Sequence, residues 1–170
     1  MPTRSTACDW ASTTLGCISD VCPLPLARER HTAPQVRGNS EILRKAYDAL
    51  NDGDVESALG VLEPDAEWQE HSELPEAGIY HSRAAIRTFL LGYLDSWDEF
   101  RQETEELIDS GDRVAVVLRM AARGKGSGIA VEARYAHLWT MRDGRGVRVD
   151  AYADPNAAIE ALQQQPTQQR

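Results

Sequence analysis

Side chains alternate in character from Gly128 to Met141, and this alternation sets the expectations for the rest of the chain. Read with a period of two, Val131, Ala133, Tyr135, His137, Trp139 and Met141 share one face, while Ala130, Glu132, Arg134, Ala136, Leu138 and Thr140 share the other. The pattern is that of a long strand. Three consecutive rings on one face suit the wall of a concave, mostly apolar pocket with a few polar groups aimed inward.

The other elements follow from the same kind of reading. Ser40 can cap a helix whose apolar positions Ile42, Leu43, Ala46, Tyr47 and Leu50 keep the 3.6 period until Asn51-Asp52-Gly53-Asp54 ends it. Asp54 then caps a shorter helix through Leu62, closed by Pro64, and Ala66 to His71 alternates as a short strand carrying Trp68 and Glu70 on one face. Ser72 to Ile79, with Pro75 and Gly78, reads as a loop able to form a pocket rim. Ser82 caps a third helix over 83–97, with Ile86, Phe89, Leu90, Tyr93, Leu94 and Trp97 on one face. Four strands follow, at about 100–109, 113–122, 129–141 and 146–153, joined by hairpin signals at Ser110-Gly111-Asp112, Gly124 to Gly128, and Arg142 to Arg145. Asp154-Pro155 can start a last short helix to about Leu162. The order predicts an α+β domain in which three N-terminal helices pack on a curved, mainly antiparallel sheet.

Residues 1–38 break this regularity, since they mix Ser, Thr, Pro and Cys without either period, and Cys22-Pro23-Leu24-Pro25 blocks continuous structure. We expect a flexible extension or an over-called start with the true one near Val36, a domain over 39–162, and a polar tail over 163–170. At 170 residues the chain has room for one domain with a real core. Charge narrows the partners. Residues 1–38 carry four Arg against Asp9, Asp20 and Glu29, net +1 of a total of −9, so the body holds −10 and repels a phosphate backbone. Nucleic acid is not an expected partner, and no apolar run approaches the roughly 18 residues of a membrane helix. Cys8, Cys17 and Cys22 are odd in number and lie outside the expected core, which argues against a disulfide framework or zinc site and for a cytoplasmic location.

Ala49-Leu-Asn-Asp-Gly-Asp54, Pro64-Asp-Ala-Glu-Trp68, Leu74-Pro-Glu-Ala-Gly-Ile-Tyr80, Ala136-His-Leu-Trp-Thr-Met-Arg-Asp-Gly144 and Val149-Asp-Ala-Tyr-Ala-Asp154 together resemble the SnoaL-like branch of the NTF2-like superfamily, over about residues 40–162. The resemblance implies the NTF2-like cone. It leaves function open among ketosteroid isomerases, polyketide cyclases, dehydratases, limonene-type epoxide hydrolases and members without known activity. Carried over from the isomerases, the oxyanion tyrosine falls at Ala46, with Tyr47 one residue off, the carboxylate base at Glu70, and the oxyanion-donating acid at His137. The His-Trp-Asp triplet of the cyclases is replaced by Val149-Asp150-Ala151, and for the epoxide hydrolases Arg119, Asp150 and Asp154 supply only the residue types.

Glu70 and His137 are the candidate catalytic residues. A carboxylate among aromatic rings has its pKa raised by desolvation and suits general acid/base work; alternatively Glu70 is a rim residue paired with Arg119 or Arg134. His137 can donate to an oxyanion or hold an anion; alternatively it is a core histidine satisfied by a carbonyl. Trp68, Tyr80, Phe89, Tyr93, Trp97, Tyr135, Trp139 and Tyr152 can floor a pocket for a flat ligand or serve as core, with two or three expected on the cavity, and Arg119 joins them as a possible ligand contact. Arg123 to Gly128 lacks the spacing of a phosphate loop and reads as a turn. The expectation is thus a SnoaL-like small-molecule-binding protein, and an acid/base enzyme without cofactor or metal acting on a small apolar cyclic carbonyl compound. The alternatives are a non-catalytic ligand-binding or dimerisation module and an epoxide hydrolase. The outer strand face with Ala136, Leu138 and Thr140 is the expected homodimer surface.

Overall fold

The computed structural model describes residues 36–70 and 77–164, so the expectations for residues 1–35, 71–76 and 165–170 lie outside the described residues. The elements run α1 (Val36–Asn51), α2 (Val55–Leu59), β1 (Leu62–Glu70), β2 (Gly78–His81), α3 (Arg83–Asp95), β3 (Trp97–Ser110), β4 (Arg113–Gly124), β5 (Ala130–Arg142), β6 (Arg145–Tyr152) and α4 (Pro155–Gln163). The strands form one six-stranded sheet in the order β2-β1-β6-β5-β4-β3. Every pairing is antiparallel except that of β1 with β6. This is the expected α+β class, with helices on a curved, mostly antiparallel sheet.

The alternation read between Gly128 and Met141 survives intact. Trp139 and Met141 join the main core together with Val114, Val116 and Leu118 of β4, Val149 and Ala151 of β6, and Ala66 and Trp68 of β1. Against this face α1 brings Leu43 and Tyr47, α2 brings Leu59, and α3 brings Ile86, with Phe89 and Leu90 packed at its edge. Register shifts between Leu62 and Glu67, Thr104 and Glu106, and Thr140 and Met141 bend the strands. A bent sheet can wrap around what lies on one of its faces, which is what a cone requires.

Where boundaries differ from expectation, a tertiary partner explains the change. Ser40 lies inside α1 instead of capping it, because its hydroxyl donates to Asp109 Oδ2 at 2.9 Å while Asn39 Nδ2 donates to the Gly111 carbonyl at 3.1 Å. α2 stops at Leu59, and β1 starts at Leu62 with Pro64 inside it. Pro64 is tolerated there because it sits in the irregular stretch between the Leu62–Gly146 and Glu67–Arg148 pairs, where it lacks only a donor the ladder does not use. The expected rim loop gives up Gly78 and Ile79 to β2, which sets Tyr80 opposite Trp68. Trp97, read as the end of the third helix, instead opens β3 opposite Gly124.

The outer face of the sheet is not bare. Leu138 packs with Ala115 and with Leu162 of α4, and Ala136 packs with Val117 and with Ala158 of α4. Of the three residues expected to form a homodimer surface, Ala136 and Leu138 are therefore covered by the chain's own last helix and essentially inaccessible, while Thr140 stays partly exposed. An amphipathic helix ending the chain can satisfy an apolar strand face as well as a second subunit can.

Gly146 lies where β6 passes beneath Trp139. A methyl group there would meet Trp139 Cζ3 at 2.7 Å, Cε3 at 2.8 Å and Leu62 Cδ2 at 3.1 Å. The indole cannot swing away without breaking its N–H bond to Tyr47. We expect Gly146→Ala to destabilise the fold by about 1–3 kcal/mol through overpacking, measured as a lower urea midpoint at unchanged m-value. A midpoint equal to that of the wild type would show that the Trp139 ring is free to move.

Candidate functional site

The curled sheet and the three helices enclose a cavity of about 660 Å³. Trp68, Phe89, Tyr93, Tyr135, Trp139 and Tyr152 all line it, so more of the candidate rings reach the cavity than expected. Tyr80 does not: it stacks on Phe89 with centroids 4.3 Å apart and supports that ring from behind. Trp97 also lies off the cavity and packs edge-on against Tyr93. Arg119 is excluded as a ligand contact, because it sits on an outward position of β4 with its side chain 57% exposed and paired with Glu132 at 3.2 Å. The epoxide-hydrolase reading, which required an arginine wedged between carboxylates in the cavity, loses that arginine.

Glu70 and His137, the two candidate catalytic residues, both line the cavity. Trp68 connects them. Its ring meets the imidazole edge-on at 4.9 Å, and its indole N–H donates to Glu70 Oε2 at 3.4 Å. Neither arginine offered as a partner for Glu70 is engaged with it, since Arg134 pairs with Glu105 at 2.6 Å and Arg119 with Glu132.

His137 is held by a chain of three side chains. Trp139 Nε1–H donates to the Tyr47 hydroxyl at 2.9 Å, and the Tyr47 hydroxyl lies 2.7 Å from His137 Nδ1. Indole nitrogen can only donate, so the phenol oxygen is the acceptor there. The phenol hydrogen is then satisfied only by giving it to Nδ1. With Nδ1 accepting, the neutral imidazole carries its hydrogen on Nε2. Burial pushes His137 from its ordinary value near 6.5 down to about 3, and pushes Tyr47 upward, so both stay neutral across the physiological range. The alternative of a core histidine satisfied by a backbone carbonyl does not describe this residue.

Tyr47 is the residue that sequence comparison undervalued. The family register set the oxyanion tyrosine at Ala46 and left Tyr47 one position away, but Ala46 and Tyr47 both line the cavity from α1. Its 3.6-residue period marked it as inward-facing, yet nothing local indicated that its hydroxyl would reach a histidine 90 residues on. Gln102 and Asn51 were missed as well. Gln102 lines the cavity from the polar run of β3, and Asn51, read only as part of a helix stop, fixes its backbone through both side-chain atoms. On β6 the inward positions are Val149 and Ala151, whereas Asp150 faces outward and is paired with Arg148 at 2.7 Å. Among the described residues no group of three or more His, Cys, Asp and Glu side chains gathers to hold a metal, and no helix is long and apolar enough to cross a membrane.

A curled six-stranded sheet closed by helices around an aromatic cavity is the NTF2-like class of fold. A protein of that class from Burkholderia thailandensis E264 is 26% identical to this chain, with a TM-score of 0.63 over 75% of this chain and 98% of its own. The chain belongs to the SnoaL-like domain family, whose sequence profile matches residues 43–149. Similar solved structures include TerC co-crystallised with polyporic acid, which is 28% identical with a TM-score of 0.62 over 75% of this chain and 99% of that one. A SnoaL-like polyketide cyclase candidate from Jannaschia sp. CCS1 has a TM-score of 0.64 at 19% identity, over 79% of this chain and 97% of its own, and so supports the fold alone. No curated protein matches this chain.

The low pKa of His137 has a measurable consequence. Between pH 6.5 and about 3 the unfolded chain binds a proton at this residue that the folded chain refuses. The contribution of the neutral imidazole is therefore complete above pH 6.5 and is lost as the pH falls through this window, with a slope approaching about 1.4 kcal/mol per unit. We expect unfolding free energies from urea titrations between pH 7 and pH 4 to fall less steeply for His137→Gln than for the wild type. Parallel curves would mean that His137 titrates normally.

Proposed function

We propose that this SnoaL-like domain binds an apolar cyclic carbonyl compound in its aromatic cavity and moves a proton on it without a cofactor. In this reading the ligand carbonyl accepts a hydrogen bond from His137 Nε2–H, and the Glu70 carboxylate removes a proton from the adjacent carbon. As the enolate forms, charge grows on the oxygen facing His137, so the imidazole hydrogen bond strengthens in the transition state. Glu70, now carrying the proton, returns it to another carbon of the same system, which isomerises the compound. The observation that carries this reading is the Trp139–Tyr47–His137 chain, which holds a neutral imidazole in its Nε2–H form on the wall of a cavity that Glu70 also lines. A neutral imidazole is a better-matched donor to an enolate than an imidazolium, which would lose its proton outright.

A second reading, a ligand-binding module without chemistry, is favoured by one observation. The last strand directs Asp150 outward into its pairing with Arg148 and gives the cavity no acid of its own. In either case we take the protein to be cytoplasmic. A homodimer would have to use a surface other than Ala136 and Leu138, which α4 covers.

Solvent exchange separates the two readings. The α-protons of 2-tetralone in deuterated buffer, followed by NMR, are expected to exchange faster in the presence of the wild-type protein. Glu70→Gln is expected to reduce that acceleration about 10²–10⁴-fold, and His137→Gln by roughly 10²-fold or more. An exchange rate unchanged by Glu70→Gln would remove Glu70 as the base.

A further inference from the structure

The cavity wall carries another polar group that this chemistry does not use. Gln102 is only 3% exposed, yet it lines the cavity. Three of its hydrogen-bonding groups are taken. Its backbone N–H donates to Asn51 Oδ1 at 2.9 Å, its carbonyl accepts from Asn51 Nδ2 at 2.7 Å, and its side-chain Oε1 accepts from the Tyr135 hydroxyl at 2.6 Å. Burial pushes Tyr135 well above its ordinary value, so the phenol keeps its hydrogen and needs that acceptor. The carboxamide therefore cannot turn over, and its amide nitrogen, with two hydrogens, is left without a partner. Among the described residues the only fully buried side-chain nitrogen or oxygen lacking a partner is Trp97 Nε1, so the Gln102 amide is not sealed in the core but opens on the cavity.

We infer that Gln102 is a second hydrogen-bond donor to the ligand, and that the cavity takes a flat ring compound with two acceptor oxygens, one met by His137 Nε2–H and the other by the Gln102 amide. This rests on the carbonyl reading of the site and adds a requirement to it. Both donors are neutral and stand in a mostly apolar lining. A hydrocarbon would leave two buried polar groups unmatched, and a compound with one carbonyl would leave one. Sites built to hydrogen-bond a ligand discriminate strongly against analogues that lack the matching atom, for that reason. Both donors are also aimed from the same face of α1. Tyr47 holds His137, and Asn51, four residues or about one helical turn later, holds the backbone of Gln102. The Gln102 side chain and His137 in turn flank Tyr135, whose ring lies 5.2 Å from the imidazole.

Anthraquinone and anthrone test this directly, because they share a three-ring frame and differ by one carbonyl. Binding of each is measured by quenching of tryptophan fluorescence, under nitrogen, with the full chain. Anthraquinone is expected to bind the wild type about 3- to 10-fold more tightly than anthrone, the effect of one added neutral hydrogen bond. Gln102→Met should abolish that preference while changing anthrone binding less than about twofold. Gln102→Glu keeps an oxygen for Tyr135 while removing the amide hydrogens, and should abolish it too, which covers the case in which Gln102→Met fails to fold by circular dichroism. If a folded variant retains the preference, or the wild type binds both ketones equally, the two-oxygen requirement is wrong and the carbonyl reading stands. If the wild type binds neither ketone, the carbonyl reading fails and this inference fails with it.

Discussion

Tyr47 must satisfy two ring nitrogens at once, and much of the cavity depends on how it does so. Its oxygen accepts from Trp139 and its hydrogen goes to His137, both on β5 and both essentially buried. Each of these groups would be costly to bury alone, and together the side-chain nitrogens and oxygen of Tyr47, His137 and Trp139 match one another, leaving only the hydrogen on His137 Nε2 for a ligand. The same contacts fix the rotation of α1 on the sheet, because a helix that turned on its axis would lose them. They also fix Trp139, whose ring closes over Gly146.

Once α1 is held in this way, its next turn is placed without further adjustment. Asn51 reaches β3 and bonds Gln102 through both of its side-chain atoms, tying the end of the helix to the far side of the sheet. The sheet must curl for one helix to touch both β5 and β3, and its bulges supply that curvature. The helix contacts that close the cone are thus the contacts that aim its polar groups. For this reason stability and function are hard to separate here: a residue such as Tyr47 is part of the core, yet it decides which nitrogen of His137 is protonated. The outer face is built differently. It is apolar under α4 and carries an ion-paired cluster where Arg148 meets Glu67 and Asp150, and neither part opens on the cavity.

Much of this could be read from the chain. The alternation from Gly128 to Met141 identified the inward face of β5, the helical period identified Phe89 and Tyr93, and the pairing of Trp68 with Glu70 on one strand face placed both in the cavity. The motifs identified the family. Errors gathered where a residue's partner lies far away in sequence. Ser40 looked like a cap until Asp109 took its hydroxyl, Trp97 looked helical until Gly124 paired with it, and Ala136 with Leu138 looked like a subunit interface until α4 covered them.

Local periodicity sets which side of a strand or helix is apolar, because that depends only on the repeat of the backbone, and so the sequence alone determined the elements other than β2, with their inward faces, and singled out Glu70 and His137 as candidates. It carries no information about how far a helix is rotated on a sheet or how tightly the sheet curls. Those quantities decide whether the Tyr47 hydroxyl meets His137 and whether Asn51 meets Gln102. Directed hydrogen bonds between residues 51 to 92 positions apart are made only when packing has fixed both, so the tautomer of His137 and the aim of Gln102 were decided by the tertiary structure alone.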